Sequence, residues 1–178
     1  MKTIAIFSGL VVFGAASAVV LVIFELGREG DSGFIGPGVL IADVNLALEV
    51  LLVLGLTFGA WLARRGGIEA HRVNQTVWVL MNAALVAFVM ISSLQDVKLE
   101  GVATLAEMRV WVTWLHAAIG TLTVLSGLWL VLQMNDVLPG PLHVRWWKAM
   151  MRWTLAGYWA TVLLGFWTYG LWYSARAS

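Results

Sequence analysis

Few side chains in this sequence can do chemistry, and most of them lie inside long apolar runs. There is no cysteine, which excludes disulfides, thiolate metal sites, iron–sulfur clusters and covalently attached c-type haem. The transition-metal ligands that remain are His71, His116 and His143, the carboxylates and the methionines. His116 is the most telling. It sits deep in the run from Arg109 to Gln133, where Arg109, Thr113, His116, Gly120, Thr123 and Gly127 fall three or four residues apart and so share one face of a helix. The other side is Val, Leu, Ile and Trp. Such a helix turns its small and polar stripe toward other helices and its bulky side toward lipid. An ionisable residue in that position is costly and marks a functional site by default. A second apolar run carries Asn45 and Glu49 four residues apart on one face, with Asp43 nearer its mouth. A third carries His71, Asn74, Gln75, Trp78 and Asn82 as one polar stripe, whose amides serve equally well simply to bond neighbouring helices.

The elements that must position these residues are membrane spans. Of 178 residues, 61% are hydrophobic and only 12% charged, and the mean hydropathy is +0.86. Soluble domains carry about 25% charged residues, so this composition predicts an integral membrane protein. The length suits one compact bundle with no separate soluble domain. A net charge of +1 argues against nucleic acid as a partner. Eleven Trp against three Tyr fits interfacial anchoring in a lipid bilayer.

Five spans are expected. The first is Thr3–Phe24, whose Lys2 and Ala15-Ala16-Ser17-Ala18 imitate a cleaved secretory signal; its length is enough to span, and it is read as a retained helix. A glycine-rich loop with Glu25, Arg28, Glu29 and Asp31 follows. The others are Val39–Ala63, His71–Leu94, Arg109–Gln133 and about Lys148–Tyr173. A loop with Asp96, Lys98 and Glu100 precedes the fourth, and Pro139-Gly140-Pro141 stops it. The last span packs through Thr154, Gly157, Thr161, Gly165 and Thr168, while Gly55 and Gly59 form a G-x-x-x-G in the second. The chain thus divides into residues 1–38, a first helix with its outer loop, and a four-helix domain over 39–178. Arg64, Arg65 and Arg72 share a side with Arg145, Lys148 and Arg152 and with Lys2. The positive-inside rule makes that side cytoplasmic, giving N-in and C-out. The predicted class is therefore all-α, a five-helix bundle in a bacterial cytoplasmic membrane.

Depth decides which polar groups can meet. At about 1.5 Å per residue, Glu49 and His116 both lie roughly 15 Å from the outer end of their spans, with Asn82 and Thr161 close to that level. A buried Glu–His pair suits a proton relay, a quinone hydroxyl contact or a half-filled metal site. It also suits a satisfied hydrogen bond that fixes helix register. His71 and His143 share a second level, at the cytoplasmic rim. Histidines on two helices at one depth suit haem b, with Arg72, Arg145 or Lys148 meeting the propionates. His71 and His116 would stand roughly 20 Å apart along the membrane normal, too far to share an iron.

At this point the chain resembles a family, the CtaM-like membrane proteins, bacterial factors needed to produce active cytochrome oxidases. The resemblance covers about residues 40–173. It rests on Asn45 early in the first shared span, on Leu54-Gly55, and on Arg64-Arg65-Gly66 followed by His71-Arg72. It continues in the aromatic and Arg stretch before His116, and in Arg152-Trp153-Thr154-Leu155 running on to Thr161, Gly165, Tyr169 and Tyr173. His71 and His116 match the family's pattern. The family's third histidine would fall near Trp147, one helical turn after His143; Ala156 stands where the family tends to have Pro, and Glu49 is an additional carboxylate. The resemblance implies a respiratory-chain setting.

Three functions follow as expectations. The first is an accessory protein that binds haem or a metal, copper among them, while a terminal oxidase or related complex is built. His71, His116 and His143 would be its ligands, and Glu49, Asn82 and Asn45 its polar layer. The second is a haem b electron-transfer subunit that meets quinone. The third is a cofactor-free scaffold bound to other membrane subunits of a respiratory or photosynthetic assembly. No nucleophile triad, phosphate loop or open metal triad is evident that would make the chain an enzyme in its own right.

Overall fold

The computed structural model describes residues 38–90 and 107–173, together with 33–35 and positions 11, 14 and 18, the side chain of Val89 excepted. The span expected over Thr3–Phe24 lies outside the described residues apart from Val11, Gly14 and Ala18, which are helical. So do Lys2, the loop charges from Glu25 to Asp31, the third span beyond Met90, and Asp96, Lys98 and Glu100.

The protein is all-α. Its long helices are α1 (Leu40–Arg64), α2 (Ile68–Leu85), α3 (Met108–Met134) and α4 (Trp147–Tyr173). They run up and down as a four-helix ring: α1 packs on α2 and α4, α3 on α2 and α4, and the α3–α4 contact is the most extensive. The core is Leu52, Val53 and Leu56 of α1, Val79 and Leu85 of α2, Val131 of α3, and Tyr158 and Val162 of α4.

Two of the helix ends show why the chain turns where it does. After α1, Gly67 N–H donates to the Leu62 carbonyl and Gly66 N–H to Ala63, with Gly66 at φ +84°. This glycine-based cap satisfies the last carbonyls of the helix and reverses the chain within three residues. As a result α2 begins at Ile68, one turn earlier than the expected His71. After α3, Val137 N–H donates to Leu132 and Asp136 N–H to Gln133, the same cap with Asp136 at φ +54°. Beyond Leu85, α2 widens into a π turn, Val86–Met90.

α1 and α3 are long and apolar enough to cross a membrane. Polarity in the bundle is inverted relative to a water-soluble core. Leu51, Leu54, Phe58 and Trp61 form an exposed stripe on α1, as do Trp111, Leu115, Leu122, Leu125 and Leu132 on α3 and Trp159, Leu163 and Phe166 on α4. Asp43, Glu49, His71, Thr76, Asn82, Thr123 and Thr161 are buried instead. Tryptophans mark both ends of the bundle, Trp61, Trp146, Trp147 and Trp153 at one, Trp111, Trp114 and Trp167 at the other.

Candidate functional site

Two histidines, His71 buried and His116 partly buried, sit at two levels of the bundle. His71 is the first of three α2 side chains that reach the backbone of α1. Asn74 Nδ2 donates to the Gly55 carbonyl at 2.9 Å, Gln75 Nε2 to Leu56 at 3.0 Å, and His71 Nδ1 to Gly59 at 2.7 Å. The G-x-x-x-G makes this approach possible. A Cβ on Gly55 would overlap the Trp78 indole, and one on Gly59 would collide with the Asn74 and Gln75 amides. Because a carbonyl can only accept, Nδ1 of His71 carries the proton and Nε2 keeps its lone pair when the ring is neutral.

His116 is held in the same way from the opposite side of the ring of helices. Its Nδ1 donates to the Thr161 carbonyl of α4 at 3.0 Å. Its Nε2 therefore turns toward α1, where Glu49 Oε1 lies 3.9 Å away, an ion-pair distance too long for a direct hydrogen bond. Oε1 already accepts from Asn45 Nδ2 at 3.0 Å. Oε2 is buried and has no hydrogen-bond donor among the described residues. It is walled by Gly165, where a Cβ would stand 2.7 Å from Oε2 and 3.4 Å from His116 Cε1. A cavity of about 20 Å³ adjoins the carboxylate, lined by Glu49, Asn82, Val86, Met90, Tyr158 and Thr161 among others. It has room for one water molecule and none for a porphyrin.

The structure therefore brings Asn45, Glu49, Asn82, His116 and Thr161 together at one level. His71 and His143 are anchored separately. His143 is exposed on the turn before α4, with Nε2 donating to the Leu138 carbonyl at 3.0 Å. Arg72 is paired with Glu69, and Arg145 is exposed on the turn that carries His143. Among the described residues, no three His, Asp or Glu side chains converge as a metal site.

Two participants have no signal in the spacing. Tyr158 places its hydroxyl over Gly127, where a Cβ would be 2.8 Å away, next to the Asn82 side chain but without good hydrogen-bond geometry. Asp43, expected only near the mouth, is fully buried. It accepts from Tyr169 Oη and from Ile35 N–H, each at 2.5 Å, and so joins α1, α4 and the segment that enters α1. No protein family, curated relative or solved structure matches the chain.

Proposed function

We propose that this is a multi-pass protein of the bacterial cytoplasmic membrane, with five spans oriented N-in and C-out. In this reading it is an accessory protein of the respiratory chain that holds haem or a metal ion while a terminal oxidase or related complex is assembled. The inverted polarity of the bundle and its tryptophan-bearing ends support the membrane reading. The basic hairpin ends, Arg64 to Arg72 and Arg145 to Arg152, support the orientation. The respiratory setting rests on the resemblance to CtaM-like proteins.

One observation carries the cofactor reading. Both interior histidines, His71 and His116, spend Nδ1–H on a backbone carbonyl of a neighbouring helix. Protein-bound metals and haem use this arrangement, since the carbonyl fixes ring and tautomer and leaves Nε2 as the ligand. The donor set would supply one histidine at each level rather than two histidines to one group, because His143 offers its Nε2 to its own turn. Arg72 and Arg145 are the cations beside the His71 level, and Arg72 would have to leave Glu69 to meet a propionate. Haem b, when bound, supplies one-electron chemistry. At the other level, an imidazole with a carboxylate suits copper.

A reduced-minus-oxidised visible spectrum of the purified protein, with His71→Ala and His116→Ala beside it, tests this. A Soret and an α band lost in one variant identify the ligand, and a flat spectrum with haem supplied and the protein folded removes haem. Reversible cycling with quinol would move the function to an electron-transfer subunit. A cofactor-free scaffold is the second reading. It is favoured by the way His71, Asn74 and Gln75 are all spent on holding α2 to α1, and it predicts a colourless, metal-free protein that copurifies with partner subunits.

A further inference from the structure

The contacts between α1 and α4 set a register that can be followed to the end of the bundle. Asp43 accepts from Tyr169, Glu49 lies against Gly165, and Trp159 Nε1 donates to Thr57 Oγ1 at 3.2 Å. As α1 advances α4 recedes, so the two helices are antiparallel neighbours over this length. Two turns further on, roughly 10 Å along the axis, the next residues in register are Arg64 and Arg152. They lie on the faces that carry Thr57 and Trp159, since residues two turns apart share a face. Lys148 follows on the same face of α4, and Arg65 stands beside Arg64. All four cations are exposed. None of them pairs with a carboxylate among the described residues, and Glu69 is engaged by Arg72.

The wall that leads from these cations toward the middle of the bundle is apolar and ordered. The Phe58 and Trp61 rings stack with centroids 5.5 Å apart. The Arg65 guanidinium lies 5.1 Å from the centroid of Trp61, which holds the cation in place. Trp159 is fixed by its bond to Thr57 and is still 40% exposed. Cations at the end of a helix pair, with aromatic surface running inward from them, match a lipid with a negatively charged phosphate headgroup. Arg suits the phosphate because its planar fork binds two oxygens at once. A soluble anion would leave the apolar wall unused. We propose that the basic end of the α1–α4 seam binds one anionic phospholipid, its phosphate between Arg64 and Arg152 and its acyl chains along Phe58, Trp61 and Trp159. The phosphate supplies the counter-charge for four cations that otherwise repel one another. The site uses none of the histidines. It rests on the membrane reading and stands whether or not the haem or metal reading does.

The test uses the full chain in detergent with phosphatidylglycerol or phosphatidylcholine added, followed by native mass spectrometry and by thermal unfolding. One phosphatidylglycerol should bind about tenfold more tightly than phosphatidylcholine, and only phosphatidylglycerol should raise the unfolding temperature. In the double variant Arg64→Gln, Arg152→Gln the preference should disappear. It should persist in Arg145→Gln, because the neighbouring Val144 is bonded on both sides of its peptide to Gln133 of α3, which keeps that turn out of the seam. No preference in the unaltered protein overturns the proposal, and this measurement needs no variant to fold. So does an equal loss in Arg145→Gln, which would mean diffuse surface charge, or displacement of the lipid by inorganic phosphate, which would mean a site for free anions. A chain that stays dissolved without detergent overturns the membrane reading and this proposal with it. A chain that requires detergent yet shows no preference overturns this proposal alone.

Discussion

Between α1 and α2, His71 stands in a row with Asn74 and Gln75, and all three donate to carbonyls of one helix. Between α3 and α4, His116 makes the same kind of bond to Thr161 but turns its second nitrogen toward a carboxylate on a third helix. Ring and tautomer are alike, and the surroundings differ. The first is a seam whose acceptors are backbone groups that already serve their own helix and cannot change charge. The second is a junction of three helices in which both partners can gain or lose a proton. What distinguishes His116 is the Glu49 carboxylate at ion-pair distance from its Nε2, not depth in the bundle.

The largest effect expected from breaking this comparison is at the seam. In Gly55→Val the new side chain must enter the space of the Trp78 indole, and the whole row of carbonyl contacts would have to separate to admit it. Overpacking of this kind costs about 3 kcal/mol, and a β-branched residue gains little helix propensity to offset it. Unfolding in a detergent titration should show a loss of that size. A variant as stable as the parent would mean that α1 and α2 are not in close contact.

Gly165→Ala should do less to stability and more to chemistry. The added Cβ overlaps only the free end of Glu49 and touches the His116 ring at 3.4 Å, an ordinary contact, so the carboxylate can swing aside for about 1 kcal/mol. The expected result is a folded protein in which Glu49 has moved relative to His116, read as a shift of the His116 imidazole 15N resonances. If the fold and those resonances both remain unchanged, α4 does not confine the pair.

Much of this arrangement is readable from the sequence, for reasons that also set the limit. The bounds of α1, α3 and α4 fall within one residue of the apolar runs, because Gly, Pro and basic residues interrupt long lipid-compatible stretches so sharply. Glu49, Asn82, His116 and Thr161 meet because antiparallel helices that rise at a constant rate convert residue counts into depth. Depth says nothing of rotation about a helix axis. The Asp43–Tyr169 bond, 126 positions apart, and the placing of Tyr158 over Gly127 depend on that rotation. So does the turning of His71 into the seam while His143 stays on an exposed turn. The π turn at Val86–Met90 is equally hidden, since its residues are apolar on every side and give no change of period.

The smallest effect should come from Asn74→Leu, and its size decides what the seam is made of. Asn74 donates to Gly55, whose carbonyl lies inside α1 and keeps its helical partner when the amide is removed. Leu fills similar space and leaves no buried polar group behind, so only the bond itself is lost. Interhelical hydrogen bonds within membranes are worth about 0.6 kcal/mol on average, because the separated helices find other partners. A loss of that order, beside the larger one at Gly55, would make close packing the force that holds α1 to α2 and the polar row a guide to register. A loss near 2 kcal/mol would reverse that ranking. The three amide and imidazole donors would then be the seam's main support, and His71 would have little freedom to serve as a ligand.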